Sequence, residues 1–181
     1  MSNRTPFAIA AVLTALLASP AHPQSGGTSG TSAAVTIGLP LGSFDDIAKT
    51  GMGVALRHAF GDRTAPWSAR GTFGFTYFRG RRPFDNVQFI ETTFDMVHRT
   101  DETFYQFGGL GMYNTKYSFD PRDKIPGISG QRANQDFGLS AGVGVNYMWG
   151  NTKTFLEFAA TTVFDGSDNR SWFPLRMGIR F

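Results

Sequence analysis

From Ala33 onward the chain alternates apolar and polar positions with a period of two, in runs bounded by Gly, Pro, Asp and Asn. The alternation predicts eight strands: Ala33–Gly42, Gly51–Phe60, Trp67–Phe78, Val87–Arg99, Thr103–Tyr117, Asp136–Trp149, Lys153–Phe164 and Trp172–Phe181. Each run is about ten residues or more. Soluble strands average roughly five to six residues, whereas a tilted strand needs about 9–11 to cross a bilayer. Length therefore favours a membrane-spanning barrel.

The connections alternate as well. Gly61–Pro66, Thr100–Glu102 and Gly150–Thr152 are short and turn-like, while Ser43–Thr50, Arg79–Asn86, Ser118–Gln135 and Asp165–Ser171 are longer and more polar. Short turns on one side and long loops on the other are the pattern of outer-membrane barrels, with the short turns periplasmic. An even strand number puts both chain ends on the short-turn side.

Parity separates two faces. Met52, Val54, Leu56, Phe60, Phe73, Phe75, Ile90, Phe94, Val143, Leu156, Phe158, Leu175, Met177, Ile179 and Phe181 share one of them, with His58, and no Asp, Glu, Lys or Arg joins them. A Lys or Arg there would cost about 2–4 kcal/mol at the bilayer midplane. The opposite face holds Arg57, Arg70, Glu91, Asp95, Glu157, Arg176 and Arg180 among Gly, Ser, Thr and Asn. A soluble barrel would turn those charges outward to water, so the order is inverted. The fifth strand keeps both assignments open, because a bulge at Gly108-Gly109 would exchange its faces. Aromatic residues collect at the strand ends: Phe60, Trp67, Tyr147, Trp149 and Phe181 at one end, Phe44, Tyr77, Tyr117, Phe164 and Trp172 at the other. They predict two interfacial girdles.

Residues 1–21 have the parts of an export signal: Arg4, an apolar stretch from Phe7 to Ala18, and small residues at Ser19-Pro20-Ala21. Residues 22–32 read as a flexible Pro/Ser/Gly/Thr linker, and 33–181 as the barrel domain. Composition adds mainly exclusions. With 17% charged residues, a mean hydropathy of −0.19 and no apolar run of 18 residues, the chain is not a helical membrane protein, but a barrel stays open. The absence of cysteine excludes disulfides, zinc–thiolate sites and thiol catalysis. The net charge of +3, reduced by Arg4 if the export segment is removed, is too small to argue for nucleic acid.

At the C-terminus, Leu175, Met177, Ile179 and Phe181 alternate with Arg176, Gly178 and Arg180 and finish on the terminal Phe. This end, and the stretch from Leu39 to Gly53, resemble the eight-stranded outer-membrane β-barrel superfamily of Gram-negative bacteria, the group with the OmpA transmembrane domain and OmpX. The resemblance covers nearly all of the mature chain. It implies an all-β, up-and-down antiparallel barrel in the outer membrane, surrounded by lipid and lipopolysaccharide. It also implies that Leu175, Met177, Ile179 and Phe181 are read by the barrel-assembly machinery.

An eight-stranded barrel is just wide enough for side chains to fill it. Arginines 57, 70, 176 and 180 against acids 91, 95 and 157 are nearly balanced, which predicts a self-satisfying plug rather than the one-sign ring of an ion path. Some small barrels are lipid-modifying enzymes, but His22, His58 and His98 join no nucleophile–base–acid set in the sequence and lack a His-x-Ser pattern. Arg79, Arg81 and Arg82 are candidate lipopolysaccharide contacts, because guanidinium suits phosphate. The acidic turns at Asp120–Asp123 and Asp165–Asn169 lack the ligand spacing of a calcium loop and read as polar turns. No cofactor or metal is expected. The sequence thus favours a structural or surface-interaction barrel, with a narrow solute pore second and an enzyme third; the surface ligand stays unknown.

Overall fold

The computed structural model describes residues 30–61, 65–120, 131–166 and 168–181. Residues 1–29, which hold the expected export segment and most of the expected linker, lie outside them. Eight strands follow in order: β1 Gly30–Leu41, β2 Ala48–Phe60, β3 Trp67–Gly80, β4 Phe84–Arg99, β5 Phe104–Phe119, β6 Gln131–Trp149, β7 Thr152–Asp165 and β8 Asp168–Arg180. Each pairs antiparallel with the next, and β1 closes on β8. A five-residue helix, α1 (Ser43–Ile47), lies between β1 and β2. The β6–β7 and β7–β8 hairpins turn on Gly150 and Gly166, at φ of 59° and 56°, where a Cβ would be strained.

The period of two now has its physical cause. On β3, Ser68, Arg70, Thr72, Gly74, Thr76 and Phe78 point inward and are buried, while Phe73 between them is 58% exposed. The outer surface is a band of Met52, Leu56, Ile90, Phe94, Leu110, Val143, Phe158 and Met177. Leaving so much apolar surface exposed costs about 25 cal/mol per Å² in water and nothing comparable in lipid.

Two expectations are corrected and one open assignment is settled. Strand β1 begins at Gly30, so residues 30–32 belong to the wall and not to a linker, and Ser32 pairs with Arg57 and Arg180 on its two sides. Where they are described, the long polar connections are partly strand. Beyond the apolar band β3 runs to Gly80, β4 starts at Phe84, and β7 and β8 meet at Asp165 and Asp168. Polar residues in water can continue a ladder as well as a loop can, so polarity marked the end of the band and not the end of the strand. On the same side, Ser43–Thr50 is α1 followed by the start of β2. Strand β5 has an unbroken register on both sides through Gly108 and Gly109, so it carries no bulge there. Tyr105, Phe107, Gly111, Tyr113, Thr115 and Tyr117 face inward.

The end carrying the start of β1 and the finish of β8 is the inner end below, and the end carrying α1 the outer one.

Candidate functional site

The lumen is the chemically distinctive part of the molecule. Arg70 on β3 donates from Nη1 to Glu157 Oε1 on β7 at 2.6 Å, across the full width of the barrel. Its Nε and Nη2 donate to Asp95 Oδ2 on the adjacent β4 at 3.1 and 2.8 Å. Arg57 Nη2 on β2 lies 2.7 Å from Glu157 Oε2, and the Tyr105 hydroxyl on β5 donates to Glu157 Oε1 at 2.7 Å. A second brace joins Arg176 on β8 to Glu91 on β4, Nη2 to Oε1 at 2.7 Å. Six of the seven charges named from the sequence therefore meet in ion pairs. Among the described residues Arg180 has no such partner; its guanidinium lies over the rings of Tyr105 and Phe155, 5.6 and 5.5 Å from their centroids.

Buried charges need partners because desolvating each costs several kcal/mol. The register supplies one of them, since Arg70 stands directly opposite Asp95. Glu157 stands directly opposite Arg176, but the ion pairs of both run to other strands. The guanidiniums of Arg57 and Arg70 also stack over Phe155 and Phe107, at 4.9 and 4.4 Å. Small residues make the room. A Cβ on Gly74 would come 2.6 Å from Glu91 Oε1, and one on Gly144 would collide with the Tyr105 ring.

Outward of this layer the lumen is closed by rings. Phe44, carried on α1, enters the barrel and packs against Phe78, Phe89 and Trp172 at centroid separations of 5.0, 5.7 and 6.0 Å. Tyr113, Tyr117, Val87 and Val163 complete the cluster. Phe44, Tyr117 and Trp172 are thus plug residues and not members of an outer girdle; they are 1%, 4% and 2% exposed. The signal was available for Trp172, which shares parity with Arg176 and Arg180. Its position at a strand end suggested a membrane boundary, and parity was the stronger indicator. Phe44 is on no strand, so parity could not have found it.

Toward the inner end the lumen widens into an open cavity of about 600 Å³ lined by Arg57, Ser68, Arg70, Tyr105, Phe155 and Arg180. At the outer end Arg79, Arg81 and Arg82 come together with Lys49 around a cleft of about 430 Å³ that also includes Asp85 and Asp120. Arg81 is tied to α1 through Asp45, Nη2 to Oδ1 at 3.0 Å. All three arginines are exposed. On β8, Leu175 and Met177 face outward, and the Phe181 N–H donates to the Thr31 carbonyl at 2.9 Å, holding the chain end against β1.

His58 and His98 sit on the outer face near the inner end, beside Phe60 and Trp67 at centroid separations of 4.8 and 4.4 Å. Their contacts are with Thr31 and Gln106, each at 3.2 Å. His22 lies outside the described residues, as does Asp123. Asp165 pairs with Arg170 and accepts from Asn134, and no cluster of three metal-binding side chains occurs among the described residues.

No protein-family model and no curated protein matches the chain. Solved structures do. Ail, the attachment invasion locus protein of Yersinia pestis in complex with the heparin analogue sucrose octasulfate, is 20% identical with a TM-score of 0.61, over 84% of this chain and 97% of that one. A major outer membrane protein from Thermus thermophilus is 15% identical with a TM-score of 0.58, over 86% and 99%. The N-terminal barrel domain of Pseudomonas aeruginosa OprF is 10% identical with a TM-score of 0.53, over 87% and 100%. The fold is that of the small outer-membrane barrels. With that fold, the exposed apolar band and the inverted charge order place the chain in the outer membrane.

Proposed function

We propose that this barrel is closed to solutes, catalyses no reaction, and acts through its outer end as a structural and surface-interaction element. The observation that carries this reading is the double closure of the lumen, by the Arg70–Glu157 and Arg176–Glu91 braces and by the Phe44–Trp172 ring cluster outward of them. An ion path would need a continuous polar wall of one sign, whereas these charges neutralise one another. In this reading the outer end faces the cell exterior, since the short turns lie at the other end and are periplasmic in barrels of this kind.

Within this reading Arg79, Arg81 and Arg82, with Lys49, contact lipopolysaccharide phosphates. Their exposure beside the apolar band supports it, as does the bidentate fit of guanidinium to phosphate. The outward-facing Leu175 and Met177, with Ile179 and Phe181, serve as the assembly signal, and residues 1–21 as a cleaved export signal. That Ail was solved with a heparin analogue makes an anionic surface ligand a reasonable class for the outer end here as well.

The test is a deletion strain complemented with the wild type or with the Arg79→Gln/Arg81→Gln/Arg82→Gln variant. Deletion should reduce adhesion or envelope integrity and leave small-solute uptake unchanged, and the triple variant should restore less than the wild type. Slower uptake with adhesion and integrity intact would overturn the proposal in favour of transport.

A further inference from the structure

We propose that the inner mouth of the lumen binds a small multivalent oxyanion of phosphate type, taken from the aqueous phase on that side. Along one transverse row, Ser32 on β1 pairs with Arg57 on one neighbour and Arg180 on the other, and both guanidiniums converge on the single ring of Phe155. The lumen layer holds four arginines and three carboxylates, and all three carboxylates are engaged by Arg57, Arg70 and Arg176. Arg180 has no carboxylate within ion-pair distance among the described residues, so the excess charge stands at the cavity wall.

Two further donors on that wall are buried and unsatisfied. Arg57 is 3% exposed and Ser68 7%, and Arg57 Nε and Ser68 Oγ have no hydrogen-bond partner among the described residues. Leaving such donors unpaired is unfavourable, and an acceptor in the 600 Å³ cavity that drew either side chain toward it would relieve that penalty. At the rim the same cavity is also lined by Arg99, Asp101 and Glu102. Asp101 Oδ1 accepts from the amides of Thr103 and Phe104, at 2.7 and 2.6 Å, which holds that oxygen to its own loop. Unpaired guanidinium, an unpaired guanidinium Nε and a hydroxyl are the donor set for an oxyanion, where charge-assisted hydrogen bonds are roughly twice as strong as neutral ones. The cavity is inside the wall and opens along the barrel axis, so a free anion reaches it and a lipid headgroup does not.

The experiment uses the barrel refolded in a maltoside detergent, with folding checked by heat-modifiable migration, and titrates inorganic phosphate by calorimetry at constant ionic strength set with chloride. Saturable one-site binding is expected. Arg180→Gln should weaken it at least ten-fold and Ser68→Ala should weaken it less, while Lys153→Gln, an equal loss of charge at the exposed inner end of β7, should leave it unchanged. In vesicles, replacing phosphatidylcholine by phosphatidylglycerol should not compete. Absence of saturable binding, equal losses in Arg180→Gln and Lys153→Gln, or competition by phosphatidylglycerol would each overturn the proposal.

Discussion

Arg70 and Glu157 stand on diametrically opposite strands, four steps apart in either direction around the barrel, and their side chains meet at 2.6 Å. A contact of that kind fixes the diameter of the barrel as well as its charge balance. Glu157 receives Arg57 and Tyr105 at the same time, so one carboxylate ties together four strands.

Removing that carboxylate should be costly. Glu157→Gln leaves Arg57 and Arg70 short of a counter-charge inside the lumen, and loss of one partner of a buried pair typically costs about 3–5 kcal/mol. The check is reversible urea unfolding of the refolded protein in detergent, where the midpoint should fall sharply.

The second brace offers a complementary test. Glu91→Gln alone should destabilise, whereas Glu91→Leu combined with Arg176→Met should regain most of the loss, because neither charge then remains buried without a partner. If the double variant is no more stable than the single one, the brace has another role.

The ring plug predicts a packing cost. Trp172 is 2% exposed, and Trp172→Ala should cost about 3–5 kcal/mol by leaving a cavity among Phe44, Phe89 and Tyr113. A residue in a lipid-facing girdle would lose much less, so the size of the change in denaturant midpoint separates the two placements.

The two faces can be read directly. Val143 and Leu156 are exposed on the apolar band, whereas Thr93 and Thr161 are buried in the lumen. Spin labels at 143 and 156 should respond to lipid-soluble oxygen and labels at 93 and 161 should not. Val143→Arg should cost about 2–4 kcal/mol if its site lies near the midplane.

These expectations rest on different amounts of sequence. Strand number, direction and, outside β5, the membership of each face were legible, because burial on one side and lipid on the other impose a period of two that Arg70, Thr72 and Phe73 display openly. The Arg70–Asp95 pair was within reach, since neighbouring strands meet in register. The Arg70–Glu157 bridge was not, because it depends on the barrel's width and on side chains reaching across it, and neither leaves a period in the sequence. The plug was half legible: Phe78, Phe89 and Trp172 share parity with lumen charges, but Phe44 comes from a short helix whose insertion only the closed wall defines.

The central claim is that the lumen is shut, and single-channel recording from the folded wild-type protein in planar bilayers tests it most directly. The account predicts no resolved unitary current above the lipid baseline at either polarity, with insertion verified by recovery of heat-modifiable protein from the membrane. Stable unitary steps from wild-type protein would contradict it.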